Sequence, residues 1–145
     1  MSTMSDLPQP DEVLPHRPPF LYLTEVTAID GASSAEGYWL VAPDEPFFDG
    51  HFPGRPTLPG VLMAEAIAQL GAYVVLHSGV MAGKLPLFGG LDRARFRRQV
   101  LPGDRLDLRI EVGRVSARAG RASGTASVGG ELACQADLLF VTVDP

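Results

Sequence analysis

His51 lies in a loop, Gly50-His51-Phe52-Pro53-Gly54-Arg55-Pro56-Thr57-Leu58-Pro59-Gly60, with three prolines, and Glu65 follows it by fourteen residues. Proline fixes φ and glycine permits turns that a Cβ forbids, so such a loop can hold a histidine in one place. Glu65 interrupts an otherwise apolar run. An unpaired carboxylate is costly there, so it either finds a partner or is driven toward its protonated form. Gln69 and Tyr73 follow at four-residue intervals, which on a helix makes one narrow polar stripe. Such a stripe can serve chemistry, satisfy itself or line an interface. Pro59 has no backbone N–H, but Gly60 and Val61 do. First-turn amides lack helical acceptors and point outward with the positive end of the helix dipole, toward any oxyanion that develops there. A fixed histidine, a desolvated acid and free amides are the parts needed to take a proton next to a carbonyl.

These residues need a helix to carry them. Gly60–Leu76 is rich in Ala, Leu, Met and Gln with no internal proline, and its apolar residues run nearly all the way round, which predicts a helix buried on most sides. Around it lie β-rich segments: 21–29, ending at Asp30-Gly31, and 35–41. In 106–112, Leu106, Leu108, Ile110 and Val112 alternate with charged residues. Segments 121–128 and 131–143 flank Gly129-Gly130, a dipeptide suited to a tight hairpin. In a further run, 87–100, strand alternation sets Ala94 and Phe96 opposite Arg93, Arg95 and Arg97. One greasy helix and a mostly antiparallel set of strands predict an α+β layer with the sheet curled around the helix. Residues 1–13 read as a flexible polar arm, and 14–145 as a single domain.

Composition narrows the function classes. The chain has 145 residues, a net charge of −5 and one cysteine, Cys134. Nucleic-acid binding is not expected, nor an internal disulfide or a multi-cysteine zinc site, and no metal-ligand spacing appears. The N-terminus lacks a basic flank and an apolar core, and the run 61–76 falls short of the roughly 20 residues of a spanning helix. A soluble cytoplasmic protein without a membrane role is expected. Lys84, Arg93, Arg95, Arg97 and Arg98 concentrate positive charge in an acidic chain. They could steer an acidic partner or simply form a solvated strand face. His16 reads as a tether for the N-terminal segment. His77, near a helix end, has no expected role, and Cys134 reads as a small core residue.

The chain also resembles a known family, the β-hydroxyacyl-[acyl-carrier-protein] dehydratases of hotdog fold. The likeness runs from Leu14-Pro15-His16-Arg17 through Gly50-His51-Phe52-Pro53-Gly54, Pro59-Gly60-Val61-Leu62 and Glu65-Ala66-Ile67-Ala68-Gln69. It continues at Asp92-Arg93-Ala94-Arg95-Phe96-Arg97-Arg98 and Pro102-Gly103-Asp104. The resemblance implies a long central helix wrapped by an antiparallel sheet. It also implies a homodimer, with trimers of dimers possible, whose active sites take histidine from one subunit and acid from the other. Carried over by position, His51 is the catalytic histidine and Glu65 the catalytic acid. Gly60, with Val61, would offer amides to the thioester oxygen, the Thr57 carbonyl would orient His51, and Gln69 would assist Glu65. Pro18 replaces a usual tyrosine, and Tyr38-Trp39 lies on a strand more often basic or polar, so a different pocket rim is expected.

The implied reaction is dehydration of 3-hydroxyacyl thioesters to trans-2-enoyl thioesters in fatty-acid, polyene or polyketide synthesis. The substrate would ride on the phosphopantetheine arm of acyl carrier protein, with no cofactor bound by the enzyme. Glu65 favours plain dehydration, since relatives that also isomerise the double bond typically carry Asp. The rivals are a hotdog acyl-thioesterase, for which Gly-His-Phe-Pro-Gly is not the usual signature, and a non-catalytic carrier-binding subunit, against which intact His51 and Glu65 argue. A hydratase with Asp and His on one loop has no matching motif here.

Overall fold

The computed structural model describes residues 7–145 and the backbone of Ser2–Thr3. Seven antiparallel strands form one sheet in the order β1-β2-β3-β5-β6-β7-β4. They are β1 (Ser2–Thr3), β2 (Glu25–Asp30), β3 (Ser34–Leu40), β4 (Leu85–Phe96), β5 (Arg105–Val115), β6 (Ala119–Val128) and β7 (Glu131–Val143). Among the described residues two α-helices accompany them, the single turn α1 (Pro10–Val13) and the long α2 (Gly60–His77).

Side-chain size explains how the sheet receives α2. β5 buries Leu106, Leu108 and Ile110 while Arg109 and Glu111 stay exposed, as its alternation predicts. The buried positions of β6 are Gly120, Ala122, Gly124 and Ala126, a trough of small residues against the helix. Gly124 is required there, because a Cβ would stand 2.8 Å from the Arg109 carbonyl oxygen and collide with Ile67. On the helix side, a Cβ at Gly71 would stand 2.7 Å from Cζ of Phe140. Ile67, Leu70, Tyr73, Val74 and Val75 are completely buried. By length and hydropathy α2 could cross a membrane, but 67% of it is buried within the fold, as suits a core helix. Gly129 and Gly130 both have positive φ and close the β6–β7 hairpin.

The structure departs from the sequence reading in three places. Residues 21–24 precede β2: the Tyr22 amide donates to Oε1 of Gln69 at 2.7 Å instead of to a neighbouring strand, and contact with β3 begins only at Thr24, whose amide donates to the Tyr38 carbonyl at 2.8 Å. β4 carries irregularities at Phe88/Gly90 and Asp92/Arg95, with Arg93 at φ 51°. An extra residue breaks the alternation there: Phe96 is 48% exposed while Ala94 packs against the core. The expected flexible arm is also held down where it is described. Pro10–Val13 forms a helical turn and Pro10 is buried, Leu7 and Val13 pack on the core, and the Ser2–Thr3 backbone pairs with β2. The cause lies on α2: the Tyr73 hydroxyl, inside the core, needs an acceptor and donates to the Pro8 carbonyl at 2.7 Å. Residues 1 and 4–6 lie outside the described residues.

Candidate active site

The His51 loop is organised by its own backbone. A 3-10 turn, Pro46–Asp49, delivers the chain to His51, whose amide donates to the Phe47 carbonyl at 3.1 Å. Phe52 and Arg55 exchange backbone bonds, the Thr57 amide donates to the His51 carbonyl at 2.9 Å, and the Leu58 amide donates to Val100 at 2.8 Å. The His51 ring stacks on Phe52 with centroids 4.1 Å apart. Nδ1 of His51 lies 2.9 Å from the Thr57 carbonyl oxygen. A carbonyl only accepts, so Nδ1 carries the proton, and in the neutral ring Nε2 presents a lone pair.

Glu65 stands in the second turn of α2 with its side chain 19% exposed. Burial raises its pKa above the ordinary carboxylate value, opposed by a hydrogen bond from Gln69. Gln69 is 1% exposed and every polar atom of its amide is engaged. Oε1 accepts from the Tyr22 amide, while Nε2 donates to the Phe20 carbonyl and to Oε2 of Glu65, each at 3.0 Å. It therefore has no donor left for a substrate, and its effect falls on Glu65. Behind it, Tyr22 packs on Phe20 and Trp39 and meets Phe47 edge-on, an aromatic wall that joins the Glu65 side to the turn before His51. Tyr38 faces the other way. Its hydroxyl donates to Glu25 and its ring lies under Arg105.

Among the described residues, no acceptor takes the Gly60 or Val61 amide. Gly60 lies beneath the Phe96 ring, where a Cβ would come within 3.1 Å, so glycine keeps the helix start open to close approach. Within the chain, neither a hydrogen bond nor an ion pair links His51 to Glu65 among the described residues. The basic residues do not form one cluster. Lys84 pairs with Asp144 just before β4 begins, roughly 35 Å of strand from Arg95 at ~3.3 Å per residue. Arg93 pairs with Asp137 and Arg98 with Glu131. Arg97 bonds Gln135 and Arg95 bonds only the Ala94 carbonyl, so these two lack carboxylate partners among the described residues.

Other residues fall as their types predict or add something new. Burial pushes the Cys134 thiol up to about 11, which suits an inert core residue. His77 stacks on Tyr73. His16, read from the sequence only as a tether for the N-terminal segment, comes close to the acid. Its Nε2 lies 3.8 Å from Oε2 of Glu65, and both line one cavity of about 210 Å³. A buried acid in need of a partner, in a chain with three histidines, was the available signal. A depression of about 460 Å³ also borders Glu65, between Phe20, Val61, Phe88 and Leu91, while others lie on the outer face of the sheet around Arg93, Glu111, Ser123 and Asp137.

A model of the FabA-like domain matches residues 14–137. The chain belongs to the FabA-like family. This FabA-like chain is 47% identical over 137 residues to the 3-hydroxyacyl-[acyl-carrier-protein] dehydratase FabZ of Pelotomaculum thermopropionicum, covering 94% of this chain and 98% of that one. It is 44% identical to FabZ of Bacillus subtilis, at 94% and 97% coverage. With FabZ of Staphylococcus epidermidis it shares 41% over 144 residues, at 99% of each. In fold it is similar to the dehydratase heterocomplex ApeI:P from Xenorhabdus doucetiae, with TM-score 0.80, 22% identity and coverage of 95% and 93%. It is also similar to a thioesterase from Haemophilus influenzae, with TM-score 0.60, 15% identity and coverage of 83% and 78%. The sheet wrapped around α2 is the hotdog arrangement expected from the resemblance.

Proposed function

We propose that this chain removes water from 3-hydroxyacyl groups carried as thioesters on acyl carrier protein, giving trans-2-enoyl thioesters for fatty-acid or related polyene or polyketide synthesis. The observation that carries the reading is the hold on His51: the Thr57 carbonyl engages Nδ1–H and leaves Nε2 for the substrate, while burial raises the pKa of Glu65. Elimination requires a base and an acid, roles that fall to His51 and Glu65. His51 Nε2 takes the proton α to the thioester carbonyl, and that electron pair becomes the new C=C bond. The β C–O bond breaks with its pair going to oxygen, and Glu65 supplies the proton that completes water. The Gly60 and Val61 amides face charge on the carbonyl oxygen. Acid–base help of this kind is worth roughly 10²–10⁴-fold and an oxyanion donor about 10²–10³-fold. No cofactor is needed, since the carrier's phosphopantetheine arm brings the substrate.

The reading includes assembly. His51 and Glu65 serve each other across two copies of the chain, in a homodimer that can build further into a trimer of dimers. Supporting this, Phe20, Val61, Phe88, Leu91 and Phe96 are exposed around Glu65 and the helix start. β4 closes one edge of the sheet, and among the described residues its outer edge is unpaired, which is a template for another strand. The ApeI:P dehydratase is itself a heterocomplex. The carrier's acidic surface is assigned to Arg95 and Arg97, helped by Arg93 and Arg98; Lys84 stands apart.

The test offers the protein a panel of 3-hydroxyacyl carrier proteins, saturated and polyunsaturated, and follows the products by mass spectrometry. Loss of water with the thioester intact is expected. Release of free thiol without water loss would instead make the protein a thioesterase, and binding without turnover a carrier-binding subunit.

A further inference from the structure

Both donors that approach Glu65 do so at one oxygen. Gln69 Nε2 donates to Oε2 at 3.0 Å, and His16 Nε2 stands 3.8 Å from the same atom. Oε1 has no partner among the described residues. The other nitrogen of His16, Nδ1, is buried without any hydrogen-bond partner. A buried N–H without an acceptor is rarer and costlier than a lone pair without a donor. The proton of neutral His16 therefore resides on Nε2, aimed at Glu65. Arg17 fixes the segment that carries the ring, with Nη1 donating to the Leu14 carbonyl at 2.9 Å and to the His16 carbonyl at 2.6 Å.

We propose that His16 is a positioning residue for Glu65: with Gln69 it holds Oε2, leaves Oε1 to carry the proton given to the departing hydroxyl, and donates Nε2–H to the carboxylate that remains. This rests on the dehydratase reading above. When Oε1–H passes its proton to the leaving oxygen, negative charge appears on Glu65 in a cavity walled by Phe20, Ala68, Ala72, Leu87, Phe88 and Phe140. Such walls solvate a carboxylate poorly. A shift of about 1 Å brings His16 Nε2 into hydrogen-bond range, where a donor to a charged acceptor is worth most. The other titratable or charged groups around the pair fit this role. Tyr22 has its hydroxyl pKa raised by burial and then by the Glu45 and Glu65 charges, so it stays neutral. Arg17 is committed to carbonyls, and β4 and β7 offer only apolar side chains to the cavity. Burial lowers the pKa of His16, which keeps it a neutral donor rather than a fixed cation that would strip the proton from the acid.

The experiment compares His16→Leu with His16→Gln in the assembled enzyme. Two quantities are read: kcat and KM on a 3-hydroxyacyl carrier protein, and the titration of the Glu65 carboxyl by carbon-13 NMR. His16→Leu is expected to lower kcat on the order of tenfold to a hundredfold with little change in KM, and to move the Glu65 titration midpoint up because the carboxylate has lost a donor. His16→Gln, whose amide N–H reaches where Nε2 stood, is expected to restore most of both. The inference is overturned if His16→Leu leaves the midpoint unchanged, whatever happens to kcat, or if His16→Gln falls as far as His16→Leu. If the wild-type protein dehydrates no substrate, the dehydratase reading fails, while the titration still decides whether His16 acts on Glu65.

Discussion

Glu65 is held in a place that favours its protonated form, and that has a thermodynamic consequence separate from catalysis. Burial raises its folded pKa above the value in the unfolded chain. Between those two values the folded state keeps a proton that the unfolded state has lost, so stability is highest below the ordinary carboxylate pKa and falls as pH rises through the window. Glu65→Gln removes the titration while keeping an amide for Gln69 to meet. Thermal melts of the two proteins should therefore diverge as pH rises through this window, with the Gln variant gaining; a pH-independent gap between them would contradict the assignment. At this scale the sequence was informative wherever a residue's cost was local. Glu65 in an apolar run had to find a partner or take up a proton, and a loop with three prolines had to fix its histidine. His16 was not legible in the same way. Its nearness to Glu65 depends on where the segment ahead of β2 crosses α2, a long-range contact that no spacing encodes.

The elements were legible where period and composition agree. α2 runs Gly60–His77 against an expected 60–76, and β7 matches its expected bounds. The errors came where tertiary demands override a local pattern. The segment around Tyr22 reads as strand, but the Tyr22 amide serves Gln69, and nothing in the identity of Arg93 announces a φ of 51° and the irregularity beside it. The seating of α2 on the sheet also turns on glycine, whose value appears only in three dimensions. Gly71→Ala improves helix propensity by about 1 kcal/mol, yet its Cβ would meet the Phe140 ring at 2.7 Å. Overpacking of this sort costs about 1–3 kcal/mol, so the variant should be less stable by denaturant unfolding. Adding Phe140→Leu should recover part of the loss, since the two changes share one contact.

At the scale of the molecule, the proposed assembly has each chain contribute halves of two sites. If His51 and Glu65 work across copies, variants lacking either should complement each other. His51→Ala and Glu65→Gln alone should each lose at least about a hundredfold in kcat while still assembling. Equal amounts unfolded and refolded together pair at random, so half of the dimers are mixed and each carries one intact site, which restores about a quarter of wild-type activity. No recovery after verified mixing would place both groups in the same chain's site. Assembly was legible only through the resemblance, because strand β4 looks the same in a sequence whether its far edge meets water or another chain. The aromatic wall behind Glu65 gives this molecule one more property. Trp39 is the sole tryptophan of the chain; it is 2% exposed and its ring lies 4.6 Å from that of Tyr22, whose amide is bound to Gln69. All indole emission from the protein thus arises beside the acid's support, and nature has installed there a spectroscopic label that needs no chemistry to attach.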